Sequence, residues 1–214
     1  MLVKTIMSSP VISVQPDSQV GHALELMKSN HIRHLPVVGK DGSLVGLVSE
    51  SDLIKVYPKG HITSYQLNLI SRTPVKTVMN TNPKTIHPDD AIEQAVEMMR
   101  QFKLVCLPVI ENDLVTGLIC EDDILRSFIS ILGLGQPGLR ITLRHRQQKG
   151  FLSKLVALLD ASDIIIDKMA TFQQEIVLKV QSRDPEQLLT ALKDNGFEIL
   201  HYSNVPSLLT HCNS

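Results

Sequence analysis

Residues 3 to 54 and 75 to 125 of this chain are versions of one another, and that repetition limits the available folds more than any other feature. Val3-Lys4-Thr5-Ile6-Met7 is matched by Val75-Lys76-Thr77-Val78-Met79, Pro16-Asp17 by Pro88-Asp89, and Leu35-Pro36-Val37-Val38 by Leu107-Pro108-Val109-Ile110, each 72 positions on. After one deletion in a turn, Gly46-Leu47-Val48 pairs with Gly117-Leu118-Ile119 and Asp52 with Asp123, at an offset of 71. A unit of about 50 residues buries too little of its own surface to stand alone, so two such units are expected to pack into one core.

Each copy has the same internal order. Val20, Ala23, Leu24 and Met27 recur at i, i+3, i+4, i+7, as do Ile92, Ala95, Val96 and Met99, which predicts two amphipathic helices opened by Asp or Ser caps. Gly21 in the first helix, opposite Glu93 in the second, costs roughly 1 kcal/mol against alanine and suggests close packing. Met27, Met98 and Met99 read as core filler. Two short apolar runs follow, Leu35 to Val38 and Leu44 to Val48, and the Asp41-Gly42 between them is a hairpin signal. The second copy turns through Glu111-Asn112-Asp113. Each copy closes with a helix.

Between the copies, Pro58-Lys59-Gly60 and then Tyr65, Leu67, Leu69 and Ile70 predict a loop and a short helix. Gly133-Leu134-Gly135-Gln136-Pro137-Gly138 marks the strongest boundary. Beyond it, Leu139 to Arg144 alternates as a half-buried strand, and Gly150 precedes a helix carrying Phe151, Leu155 and Leu159. Ile164 to Ile166 and Glu175 to Val180 are strands. Pro185 opens a helix that Asn195-Gly196 ends, and Phe197 to Leu200 is the fourth strand. The order βαββαβ is ferredoxin-like. The expected division is therefore a first motif over 1–56, a linker over 57–73, a second motif over 74–132, a Gly/Pro linker over 133–138, a third domain over 139–205 and a polar tail over 206–214.

Ser49 and Asp52 carry the chemistry of the first copy. An apolar strand ends on Ser49 at the mouth of the next helix, where free N–H groups and the helix dipole favour an anion. Asp52 sits one turn in, where a carboxylate can accept two hydrogen bonds from the vicinal diol of a ribose. The competing reading is an ordinary N-cap with a first-turn charge. Recurrence of the stretch favours a site. His31, Arg33 and His34 lie just before the Pro36 turn, and a phosphate needs such cations because Asp52 alone would repel it. For His31 a solvated loop is the better reading.

Balance of charge narrows the partners. Twenty-one basic and 22 acidic side chains leave a net charge of −1, which disfavours nucleic acid. No apolar run reaches the roughly 18 residues of a membrane span, and Met1 to Met7 lacks a signal-type apolar core, so a cytoplasmic protein away from membranes is expected. Cys106, Cys120 and Cys212 show no CxxC spacing, which predicts reduced thiols packed as small apolar residues and disfavours zinc. No Walker loop, metal-ligand cluster or Cys/Ser beside a His stands out, so no catalytic residue is assigned and an enzyme is disfavoured.

The repeat resembles a tandem pair of CBS domains, on Met7 and Met79, the Pro36 and Pro108 turns, and the Gly46 to Asp52 and Gly117 to Asp123 closings. The third region resembles an ACT domain in element order and in Gly150 between its first strand and helix. The pairing of the two resembles the AcuB family of acetoin utilization proteins. The fold class expected is α/β (α+β): two CBS motifs packed as one Bateman-type module, followed by a ferredoxin-like βαββαβ ACT domain.

The CBS resemblance implies adenine-nucleotide binding (AMP, ADP, ATP or a related adenosyl ligand) as a regulatory ligand, with no other cofactor and no metal. Carried over to this chain, it nominates Ser49 and Asp52 for ribose and phosphate, and Arg33 and His34 for phosphate. Asp123 is the second-motif counterpart, while Ser13 and Thr85, in the first strands, are candidates to border the base. The second motif departs from the pattern. Cys120 replaces the hydroxyl and Val105-Cys106 the basic pair, which implies two unequal sites with the Asp52 site stronger. Arg33 and His34 can serve either site.

In the third region Arg140, Arg144, Arg146 and Lys149 suggest an anion site, although alternate strand positions equally describe a solvent face. ACT domains commonly bind amino acids beside a glycine such as Gly150, but Gln147-Gln148-Lys149-Gly150 lacks the acidic or Asn residue and Pro-Gly turn that often accompany it. The resemblances imply a non-enzymatic sensor in acetoin or butanediol catabolism, a homodimer, and an unidentified protein partner. The alternative makes the ACT domain an amino-acid sensor with the CBS pair as scaffold.

Overall fold

Both copies of the repeat build the same elements. The computed structural model describes residues 1–58, 63–145 and 149–205; Lys59, Gly60, Arg146, Gln147, Gln148 and the tail with Cys212 lie outside them. In the first copy α1 (Val20–Ser29) leads to β1 (His34–Val38), β2 (Leu44–Ser49) and α2 (Glu50–Ile54). After α3 (Ser64–Ser71), the second copy follows with α4 (Ile92–Phe102), β3 (Cys106–Glu111), β4 (Leu114–Cys120) and α5 (Glu121–Ile131). β1–β2 and β3–β4 are antiparallel hairpins, the first turning at Gly42 with φ +85°, the second at Asn112 and Asp113, both at positive φ. The expected first strand of each copy shrinks to one parallel bridge, Val14 to Val37 and Ile86 to Val109.

The two copies exchange their opening segments. Val3, from the start of the chain, is fully buried in the core of the second copy with Ile92, Ala95, Met99, Leu107 and Ile119. Val75 is buried in the first copy's core with Val20, Ala23, Met27, Leu35 and Leu53. Met98 packs against the second core, so all three of the methionines read as filler do that work. Backbone bonds run both ways: Val3 N–H donates to the Asp90 carbonyl at 2.9 Å and Val75 N–H to that of Ser18 at 2.8 Å. Lys4 pairs with Asp89 and Lys76 with Asp17, each at 2.6 Å.

That exchange overturns the expected Asp or Ser caps. The N-caps of α1 and α4 are Gln19 and Ala91, without side-chain bonds. Instead the Val20 N–H donates to the Thr73 carbonyl at 2.9 Å and the Ile92 N–H to that of Met1 at 3.0 Å. A backbone carbonyl from the exchanged segment thus takes an orphan donor at each helix start. Ser18 and Asp90 serve turns, accepting from the Gln15 and His87 N–H groups. Gly21 lets α1 approach α3, since a Cβ there would lie 2.9 Å from Ser71 Cβ.

Contacts divide the chain into two units within α5, Met1–Leu125 and Arg126–Ser214. The second unit runs β5 (Gly138–Arg144), α6 (Phe151–Ala161), β6 (Ile165–Phe172), β7 (Glu175–Gln181), α7 (Pro185–Asp194), β8 (Ile199–Val205). Its antiparallel sheet has the order β6-β7-β5-β8, the ferredoxin-like arrangement. Leu139, Ile141 and Leu143 of β5 alternate into a core with Leu155, Leu159 and Leu192. Phe197, expected to open the last strand, instead sits before β8, buried in that core. On the outer face of β7, Lys179 is only 6% exposed and donates to Gln136 Oε1 at 3.0 Å. Its stem lies against Gly133 and Gly138, so the Gly/Pro segment is laid along the sheet.

Candidate functional site

The closing Ser49-x-x-Asp52 folds onto itself. Ser49 ends β2 in extended conformation and caps α2, a helix of five residues. Asp52 Oδ2 accepts from the Ser49 N–H at 3.1 Å and from Ser49 Oγ–H at 2.6 Å, while the Asp52 N–H lies 3.2 Å from Ser49 Oγ. This is a reciprocal capping box. Ser49 Oγ thus takes the Asp52 N–H, and the Arg33 carbonyl takes that of Glu50.

Asp52 Oδ1 faces outward and pairs with Lys55 Nζ at 2.9 Å. Lys55 is 73% exposed, so the pair is weak and replaceable, leaving Oδ1 open to exchange with another donor. Burial pushes the Asp52 carboxyl up, but the bonds from Ser49 and Lys55 outweigh it and the net shift is downward.

His34 faces Ser49 across the hairpin, with the Glu50 N–H bonded to the Arg33 carbonyl at 2.9 Å. His34 is half-buried. Burial and the Arg33 charge lower its pKa against the opposing pull of Asp52, favouring a neutral ring. The Arg33 side is exposed. The fold thus gathers Arg33, His34, Ser49 and Asp52 on one hairpin end and its helix.

The second copy keeps the backbone half of this arrangement. Asp123 Oδ2 accepts from the Cys120 N–H at 2.8 Å, and Ser8 Oγ donates to Oδ1 at 3.5 Å. Asp123 is buried at 8% exposure, deeper than Asp52. Cys120 supplies no hydroxyl, and Cys106 faces it across β3 and β4 with Cα atoms 4.1 Å apart, the two joined as a disulfide. Reduced, separately packed thiols are thus corrected, because directly opposed positions in an antiparallel pair bring two cysteines together. One ligand atom each of His34, Cys106 and Cys120 lies within 4.8 Å of the other two. Sequence spacing hid this cluster, since it joins one residue of the first copy to two of the second.

Ser13 and Thr85 are exposed, each one residue before its bridge at Val14 or Ile86. His31 is exposed at positive φ, in keeping with a loop role.

In the second unit Gly150, at φ +86°, caps α6 and borders a cavity of about 200 Å³ with Arg144, Lys149, Lys154 and Phe197. Arg144 is tied to Glu198 at 2.8 Å, and Lys154 donates to the Asn195 carbonyl at 2.8 Å. Those bonds consume charge that an anion site would use. Among the described residues no helix is long and apolar enough to cross a membrane.

The CBS domain family model matches residues 3–59 and 75–130. Two relatives from Methanocaldococcus jannaschii, the uncharacterized protein MJ1404 and L-aspartate semialdehyde sulfurtransferase, are 30% and 27% identical over 130 and 128 residues. These matches cover 58% and 59% of this chain but only 31% and 23% of the relatives, so the chain spans less than a third of either. Among solved structures, the Vibrio cholerae protein assigned as acetoin utilization protein AcuB is similar at 27% identity and TM-score 0.54, over 63% of this chain and 96% of that one. The CBS domain pair of MJ0100, in complex with 5′-methylthioadenosine and S-adenosyl-L-methionine, is 25% identical at TM-score 0.52, covering 61% and 97%. CBSX2 in complex with AMP is 26% identical at TM-score 0.52, covering 61% and 97%.

Proposed function

The chain belongs to the CBS domain family, and on that premise we propose that it is a non-enzymatic regulator whose CBS pair senses an adenine nucleotide. The observation that carries this reading is the Ser49–Asp52 box with His34 and Arg33 beside it: a carboxylate with one exchangeable oxygen next to two nitrogen-bearing side chains. A ribose diol would displace Lys55 from Asp52 Oδ1, and Arg33 and His34 would take the phosphate. Neighbouring CBS pairs hold AMP or adenosyl ligands, which supports the same class here. Asp123, buried and bonded to Ser8, would serve a second, weaker site, with Ser13 and Thr85 bordering the bases.

The second unit would act as an ACT domain that relays ligand binding to an unidentified protein partner, the whole working as a homodimer in acetoin or butanediol catabolism. That assignment is supported by the ferredoxin-like sheet and by the likeness to the Vibrio cholerae protein. A second reading, an amino-acid sensor using the CBS pair as scaffold, draws on the cavity beside Gly150.

Thermal unfolding separates the two. A nucleotide present at 100 times its Kd stabilises the folded CBS pair by about 2.7 kcal/mol. A rise in Tm with AMP, ADP or ATP supports the first reading. A rise only with amino acids supports the second.

A further inference from the structure

We propose that His34, Cys106 and Cys120 form a redox-gated binding site for a zinc-class cation. Their donor atoms converge within 4.8 Å although the residues lie on two different hairpins, β1–β2 and β3–β4. Two thiolates and an imidazole are the donor set that suits zinc, with Zn–S near 2.3 Å and Zn–N near 2.0–2.1 Å. Those bonds place tetrahedral ligand atoms about 3.5–3.8 Å apart. The donor atoms already lie within 4.8 Å of one another, and reduction of the disulfide would free the sulfurs to separate around an ion. A fourth position is left to water or to a ligand. Cys106 is buried and Cys120 and His34 are half-buried, so the ion would be shielded on one side and reachable on the other.

The disulfide is the closed form of the same site. A small-molecule disulfide oxidant takes two electrons from the two thiolates; the Cys106–Cys120 bond forms and the oxidant leaves as two thiolates, which take their protons from solvent. Reversal restores both thiolates. A bonded sulfur pair has no thiolate to offer a metal, so oxidation and metal binding exclude one another. His34 is also the residue read above as a phosphate ligand, so the metal site shares that side chain with the proposed nucleotide site.

The test uses the full chain carrying Cys212→Ser, which removes the third thiol, reduced with a phosphine and titrated with Co²⁺ and then Zn²⁺. The expected result is about one Co²⁺ per chain with thiolate charge-transfer and tetrahedral absorption bands, displaced by Zn²⁺. Cys106→Ser and Cys120→Ser each abolish the charge-transfer band of the two-thiolate site. His34→Gln, which leaves both thiols in place, weakens binding by roughly tenfold or more. Prior treatment with oxidised glutathione eliminates uptake. No cobalt uptake by the reduced chain at micromolar concentrations would overturn the proposal, as would uptake unaffected by His34→Gln or undiminished by oxidation.

Discussion

Val3 and Val75, equivalent residues of the repeat, each lie fully buried in the core of the other copy. The two copies are therefore joined by exchange, and neither core is complete without a segment encoded with its twin. Val3→Ala is expected to destabilise by about 1.5–3 kcal/mol, the worth of a fully buried valine side chain. Hydrogen exchange checks its direction: protection should fall more over Ile92–Phe102 and Cys106–Glu111 than over Val20–Ser29, and Val75→Ala should reverse the pattern.

Gly46 and Gly117 are the points where each exchanged segment crosses the opposite hairpin. A Cβ on Gly46 would lie 2.7 Å from Met79 Sδ and 2.8 Å from the Asn80 carbonyl oxygen. Gly46→Ala is expected to cost about 1–3 kcal/mol in chemical denaturation, from overpacking. Adding Met79→Ala should recover only part of that, because the Asn80 carbonyl belongs to a backbone pair, Leu47 with Asn80, bonded in both directions at 2.9 Å.

Asp52 gives the first unit a pH dependence. Its carboxyl is held below its ordinary value in the folded chain, so its contribution is present above the unfolded pKa of about 4 and is lost as pH falls through the lower folded value. Urea denaturation at pH 7 and near pH 3 should show a steeper acid loss for the wild type than for Asp52→Asn, which cannot titrate. Equal losses in the two would rule out that contribution.

Lys179 tests the second unit. It is held by Gln136 at 3.0 Å and by Asp167 Oδ2 at 3.7 Å beneath the Gly133 to Gly138 segment. Asp167→Ala removes one of its partners and is expected to cost about 1–3 kcal/mol. Lys179→Met keeps the packing and removes the charge, and should cost less. Denaturant midpoints of the two variants settle the order.

Local chemistry carried much of the fold in the sequence. The i, i+3, i+4 spacing of Val20, Ala23, Leu24 and Met27, the Asp41-Gly42 turn and the alternation of Leu139, Ile141 and Leu143 each specify an element within a few residues of themselves. What stayed hidden was non-local or carried by backbone. Thr73 and Met1 take the first N–H of α1 and α4 through carbonyls, which every residue has, so no side chain advertises the cap. The repeat register held the Cys106–Cys120 pairing in principle, since opposed strand positions follow from the hairpin, but the two cysteines lie far apart in sequence, without the CxxC spacing that marks a pair locally. His34 joins that pair only after two copies 72 residues apart are packed together. At Ser49 and Asp52 the residues were legible, whereas their mutual bonding required geometry.

Calorimetric titration of AMP, ADP and ATP into the wild type, Asp52→Ala and Asp123→Ala tests nucleotide sensing by the CBS pair most directly. Losing hydrogen bonds from ribose to a charged carboxylate costs roughly 1.5–3 kcal/mol, so Asp52→Ala should weaken binding about ten- to a hundredfold, and Asp123→Ala less. No heat from any of the three nucleotides at millimolar concentration, or wild-type affinity in Asp52→Ala, would contradict it.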